Sequence, residues 1–321
     1  MPASLTPVRI RVIAVLVILG FGGLGIALAR GGDSPRRRVT VATSTSAHET
    51  TTTRAPVTTG APTTTTAPTT TAATTTSTAT VPAPATTPPT APPPAPVVNT
   101  ALGSLRGRTI AIDPGHDGGN YAHASEIGRP IFIGTQTRAC DTTGTQTNDG
   151  YTEAAYNLDV ALRLRDMLQA AGANVVMTRA TNDGWGPCID ERAAIGNRAD
   201  ADAAISIHAD GGPAGGRGFH VLMPGLVAGY TDDIYSASHA LGVDVRDAFL
   251  ATGMPTSTYY ASGGLAERTD LGGLNLSNVP KVFVETGNMR NATDAALLES
   301  SEFRQREAQA LAAGLDRFLA P

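Results

Sequence analysis

Three apolar runs in this sequence end on residues that bind metals or carry protons. "TIAIDPGHDGG" leads through a Pro-Gly turn to His116, "AISIHADG" reaches His208, and "KVFVE" ends on Glu285. A fourth residue, Glu153, opens a helical pattern in "DGYTEAAYN", and a helix N-terminus favours a carboxylate. Two neutral imidazoles and one carboxylate make a catalytic zinc site with its fourth position open. A carboxylate outside that shell can carry a proton. The four residues are scattered along the chain, unlike an H-E-x-x-H pair on one helix, so spacing alone does not select the ligands. Each also has an ordinary reading. His116 would serve as a turn or capping residue, Glu153 as a first-turn charge behind Thr152, and His208 as a satisfied, half-buried imidazole. Glu285 is harder to dismiss, because an ionised carboxylate after an apolar strand needs a partner or a raised pKa.

The elements that would bring them together are legible as patterns. Strands are expected at 108–113, 174–179, 203–209, 218–223 and 281–285, and helices at 152–172, 188–199, 235–253 and 294–320. In the first helix Ala155, Leu158, Leu162 and Leu168 follow a helical period, and Gly172 is suited to the C′ position. Strands alternating with helices predict an α/β fold, a single domain with a mainly parallel twisted sheet flanked by helices. Sites in such sheets form beyond the carboxyl ends of the strands, where all four residues would lie. The stretch 117–150, rich in Gly and Thr, is long for a connection inside a compact domain.

At these residues the sequence resembles the zinc-dependent N-acetylmuramoyl-L-alanine amidases of the type-3 class, which are peptidoglycan hydrolases. The resemblance spans about residues 106–320 and rests on four blocks in order: "IAIDPGHDGG", "EAAYNLDVALRLRDML", "MTR" with "IDERAAIGNRADADAAISIHADG", and "VPKVFVETGNMRN". It places Arg192 and Asn197 in the third block and Glu285, Gly287 and Asn291 in the last. It implies His116, Glu153 and His208 as ligands of one Zn²⁺ and Glu285 as the catalytic glutamate. The implied reaction is hydrolysis of the amide between the lactyl group of N-acetylmuramic acid and L-alanine of the stem peptide. "ERTDLGGLNLSNVP" resembles the family's segment before the last strand, making Arg268, Asp270 and Asn275 candidate stem-peptide contacts. Two other classes remain in competition: a wall-binding or regulatory module of the same fold without turnover, and a zinc peptidase acting on the stem peptide.

The remaining signals concern compartment. Val12 to Ala29 is an uncharged run of 18 residues after Arg9 and Arg11, followed by a mostly Thr, Pro and Ala stretch from Thr40 to about Pro96. The expected organisation is therefore a signal peptide or membrane anchor at 1–30, a disordered Thr/Pro/Ala-rich linker at 31–100, and a catalytic domain at 101–321. This places the domain outside the cytoplasm, facing the cell wall, touching membrane only through its N-terminal segment and most simply a monomer. In an exported chain the two cysteines, Cys140 and Cys188, are expected to pair. From residue 101 onward there are 17 basic and 26 acidic residues, which argues against nucleic acid as a partner. His123 inside 117–150 is expected to be no ligand, His220 and His239 to be structural, and Trp185 to be loop packing.

Overall fold

The computed structural model describes residues 102–321; the leader and the linker lie outside the described residues. The first strand, β1 (Thr109–Pro114), is followed by a one-turn helix α1 (Ala124–Ile127), the strands β2 (Pro130–Phe132) and β3 (Thr137–Ala139), and the long helix α2 (Glu153–Ala170). Next come β4 (Asn174–Met177), α3 (Ile189–Arg198), β5 (Ala203–Asp210), β6 (His220–Pro224) and α4 (Tyr235–Phe249). Then follow β7 (Leu265–Arg268), one-turn α5 (Gly272–Asn275), β8 (Lys281–Asn288), α6 (Ala292–Leu298) and α7 (Ser301–Phe318).

Six strands form one sheet in the order β4-β1-β5-β8-β6-β7. β4, β1, β5 and β8 are parallel, as expected for an α/β chain, while β6 runs antiparallel to β8 and carries β7 parallel at the edge. Side chains alternate between the two faces of a strand, and the residue types sort accordingly. Ile110, Ile112, Ile205, Ile207, Val282 and Val284 enter the main core, with Tyr156, Val160 and Leu164 of α2 and Leu311 and Leu315 of α7. α7 packs against both α2 and α4 on this side. The alternate residues, Ala111, Asp113, Ala204, Ser206 and His208, are small or polar and turn to the opposite face, where α3 packs on β1 and on α5. One face of the strands therefore carries the main apolar core and the other carries small and polar residues.

The boundaries of α2 follow local chemistry. Thr152 caps its start, its hydroxyl accepting from the Ala155 amide, and Gly172 follows its end at φ 89°, a left-handed turn that glycine adopts without steric cost. The closing helix expected at 294–320 is two helices, with Ser300 capping α7 by accepting from the Phe303 amide. The 117–150 stretch is not featureless. It contains α1 and the antiparallel β2–β3 hairpin, and Cys140 just after β3 is joined to Cys188 with 4.4 Å between their Cα atoms. Ile131, Ile133, Ile189 and Leu276 pack around that disulfide as a small second core. No helix among the described residues is long and apolar enough to cross a membrane.

Candidate active site

The carboxyl ends of β1, β5 and β8 and the N-terminus of α2 meet at one edge of the sheet. His116 lies just past β1, and Gly115 before it runs against His208 so closely that a Cβ there would come within 2.0 Å of the imidazole. The His208 ring lies flat on Phe283 of β8, with centroids 3.8 Å apart. Glu153 is buried between the two imidazoles: its Oε1 is 2.9 Å from Nδ1 of His208 and 3.3 Å from Nε2 of His116. Its Oε2 accepts from the Thr145 amide at 2.9 Å. One donor atom from each of these three residues lies within 4.8 Å of the others.

Two imidazole nitrogens and a carboxylate oxygen are the donor set of a catalytic zinc site, so the residues present fit that ion. The electrostatics agree. Burial would lower the pKa of His116, yet the carboxylates of Glu153 and Asp141 push it up to about 10. A cation held among the same groups would replace that proton. Burial lowers the pKa of His208 and favours the neutral imidazole that a metal requires.

Glu285 pairs with His208 across β5 and β8. The glutamate is half-buried, and one oxygen, Oε2, is enclosed without a hydrogen-bond partner. Burial and the neighbouring Glu153 and Asp210 carboxylates raise its pKa well above the usual range. A cavity of about 570 Å³ opens over these groups, lined by His116, Glu153, His208 and Glu285 and, on its far wall, by Arg138, Arg268 and Asp270.

Arg268 grips Asp270 with two hydrogen bonds of 2.6 and 2.8 Å, and Arg138 of β3 binds the same carboxylate. Both arginines and Asp270 line the cavity, but the Asp270 oxygens are committed to its neighbours. Asn275 lies elsewhere: it is fully buried, and its amide donates to the carbonyls of Ile133 and Thr269. It braces the loop carrying Asp270 and does not face the cavity, which corrects its expected place among the contacts. Asn197 likewise ties α3 to the segment before β8, donating to the Leu276 carbonyl.

His123 stacks on Trp185 with centroids 5.5 Å apart, away from the three donors. His220 is buried opposite Glu285 across β6 and β8, and burial lowers its pKa to about 4. His239 of α4 contacts the Pro224 carbonyl. Sequence reasoning did not find Arg138 or Asp141. Arg138 sits on a three-residue strand with no pattern to mark it. Asp141 had one signal, its place beside a cysteine expected to be bonded.

An open α/β sheet that gathers two imidazoles and two carboxylates at its carboxyl edge has the makings of a hydrolase site, with a donor set that could hold a metal ion. Residues 110–317 match the N-acetylmuramoyl-L-alanine amidase family, and the chain belongs to it. It is 41% identical over 231 residues to the N-acetylmuramoyl-L-alanine amidase Rv3717 of Mycobacterium tuberculosis, covering 70% of this chain and 93% of that protein. Its fold is similar to the crystal structure of the amidase Ami1 from Mycobacterium smegmatis, with a TM-score of 0.63 and 43% identity over 67% of this chain and 98% of that one. The apo form of Ami1 from Mycobacterium abscessus gives the same TM-score of 0.63 at 41% identity, covering 67% of this chain and all of that one.

Proposed function

We propose that this amidase hydrolyses the bond between the lactyl group of N-acetylmuramic acid and L-alanine in peptidoglycan, with one zinc ion held by His116, Glu153 and His208 and with Glu285 as the proton carrier. The convergence of three donor atoms within 4.8 Å beside Glu285, in a chain of this family, carries the reading. Zinc held there would supply a Lewis acid for the scissile carbonyl and make water nucleophilic near neutral pH.

The chain's own residues do the rest. Amide hydrolysis requires one proton to leave the attacking water and one to reach the departing amine. Glu285 has a free oxygen for that proton, and burial and like charges strengthen its hold on it. Glu153 cannot share this task, because its two oxygens are held by Thr145, His116 and His208. The Arg138–Asp270–Arg268 wall carries two positive charges against one negative, which suits the carboxylates of a stem peptide. The domain would work outside the cytoplasm at the wall, with residues 1–30 as signal or anchor, 31–100 as linker and 101–321 as the catalytic unit.

Mass analysis of muropeptides after digestion tests the bond, and metal analysis tests the ligands. Lactyl-bearing glycan and free N-terminal L-alanine are expected, with one zinc per chain that His116→Ala loses. Cleavage inside the stem peptide would instead identify a peptidase, and binding without cleavage a wall-binding module. A full zinc equivalent and unchanged activity in His116→Ala would overturn the ligand assignment.

A further inference from the structure

We propose that Asp141 is a positioning residue for the His116 ligand, and that the Cys140–Cys188 disulfide exists in part to hold Asp141 there. The proposal rests on the zinc reading above and extends it to the 117–150 insertion.

The His116 ring has two differently occupied edges. Nδ1 faces the Asp141 carboxylate at 3.2 Å and the Thr142 carbonyl at 3.0 Å. Both are acceptors, so Nδ1 carries the hydrogen and donates. Nε2, on the Glu153 side, then keeps its lone pair for a metal. The backbone of His116 sits at φ 57°, a left-handed conformation uncommon outside glycine, and its carbonyl accepts from the buried Arg192 at 3.0 Å.

Asp141 is itself held firmly. Its Oδ2 accepts from Nη2 of the buried Arg192 at 2.9 Å, and its Oδ1 also accepts from the Thr142 amide at 2.7 Å. The same guanidinium reaches Asp113 at 2.9 Å and the carbonyl of His116 at 3.0 Å. One arginine therefore ties the residue that orients the ligand to the backbone of the ligand.

The disulfide closes this arrangement. Cys140 directly precedes Asp141, and Cys188 precedes α3, which presents Arg192 one turn later. The Ile189 amide donates to the Cys140 carbonyl at 2.8 Å, reinforcing the junction. Without the covalent link, the backbone that brings Asp141 to Arg192 would be carried only by a one-turn helix and two three-residue strands whose residues are mostly exposed. Such short elements have little stability of their own.

Outer partners of metal-bound histidines typically contribute about 10–100-fold in metal affinity. The test is the zinc dissociation constant of the full chain, measured by competition with a chromophoric chelator. Asp141→Asn is expected to weaken zinc by about 10–100-fold and to shift the visible spectrum of the Co²⁺-loaded chain, which a purely structural role would leave in place. The exposed carboxylate variant Asp166→Asn should change neither. The pair Cys140→Ala/Cys188→Ala leaves every charged partner in place and should weaken zinc in the same direction, which keeps the proposal testable if Asp141→Asn fails to fold. Wild-type affinity and spectrum in a folded Asp141→Asn, with zinc lost in His116→Ala, would overturn the role of Asp141 and leave the zinc reading standing. Wild-type affinity in the cysteine pair would overturn the role of the disulfide. Wild-type affinity in His116→Ala would remove the zinc reading, and the proposal with it.

Discussion

Glu153 is buried and Glu285 half-buried with one enclosed oxygen, and their neighbours push their pKa values in opposite directions. Burial alone would raise both. For Glu153 the two imidazoles reverse this, holding its pKa well below the usual carboxylate range. For Glu285, Glu153 and Asp210 add to burial and push the pKa up. Paired carboxylates driven apart in this way divide into one that stays ionised and one that exchanges a proton. Glu285→Gln keeps the shape and cannot take up that proton. Its turnover of muropeptides is expected to fall by about 10²–10⁴-fold while its zinc content stays at wild type; turnover near wild type would make Glu285 a structural residue. His116, His208 and Glu285 were legible because each closes an apolar run, and Glu153 because it opens one. Asp210 was not, because its importance comes from what folds against it, and Asp141 offered only its place beside Cys140.

At the scale of elements, the sequence was informative wherever a period ran for several residues. The alternation of Ile110 and Ile112 with Ala111 and Asp113 already separates the apolar face from the chemical one. It failed where elements were too short to show a period: the β2–β3 hairpin, β7 and α5. The break between α6 and α7 was hidden because residues on both sides favour helix and Ser300 alone marks the cap. α7 also buries a carboxyl that the chemistry does not use. Glu307 is fully buried against α2, accepting from the Tyr156 hydroxyl at 2.7 Å, while its other oxygen has no partner. Burial raises its pKa well above 4.5. A group whose pKa is higher folded than unfolded contributes stability below its unfolded value and loses it as pH rises through the folded one. The wild-type Tm should therefore fall as pH increases from 5 to 8 by more than that of Glu307→Gln, which keeps the hydrogen bond to Tyr156 without the titration. Each kcal/mol so recovered at pH 8 corresponds to roughly 2–4 °C in a domain of this size. Parallel Tm curves for the two proteins would show that the fold does not hold the Glu307 carboxyl protonated above its unfolded pKa.

On the scale of the whole molecule, every residue assigned to the site lies between Asp113 and Glu285, and residues 102–321 close their own core. The match to the amidase family spans residues 110–317, within the described part of the chain. About 220 residues are enough for one well-buried domain. The edges of this unit are also tied inward: the Ser104 amide donates to Asp316 of α7 at 2.8 Å, and Leu105 is fully buried in the main core. Residues 101–321 produced alone should therefore melt cooperatively and cut soluble muropeptides with the kcat/KM of the full chain. Any difference between the two should show on intact walls in cells, where delivery to the wall matters, and not on a soluble substrate in dilute solution. The shorter protein tests this directly by calorimetry and by muropeptide turnover. A broad, noncooperative transition, or a loss of turnover on soluble muropeptides, would place part of the catalytic unit before residue 101.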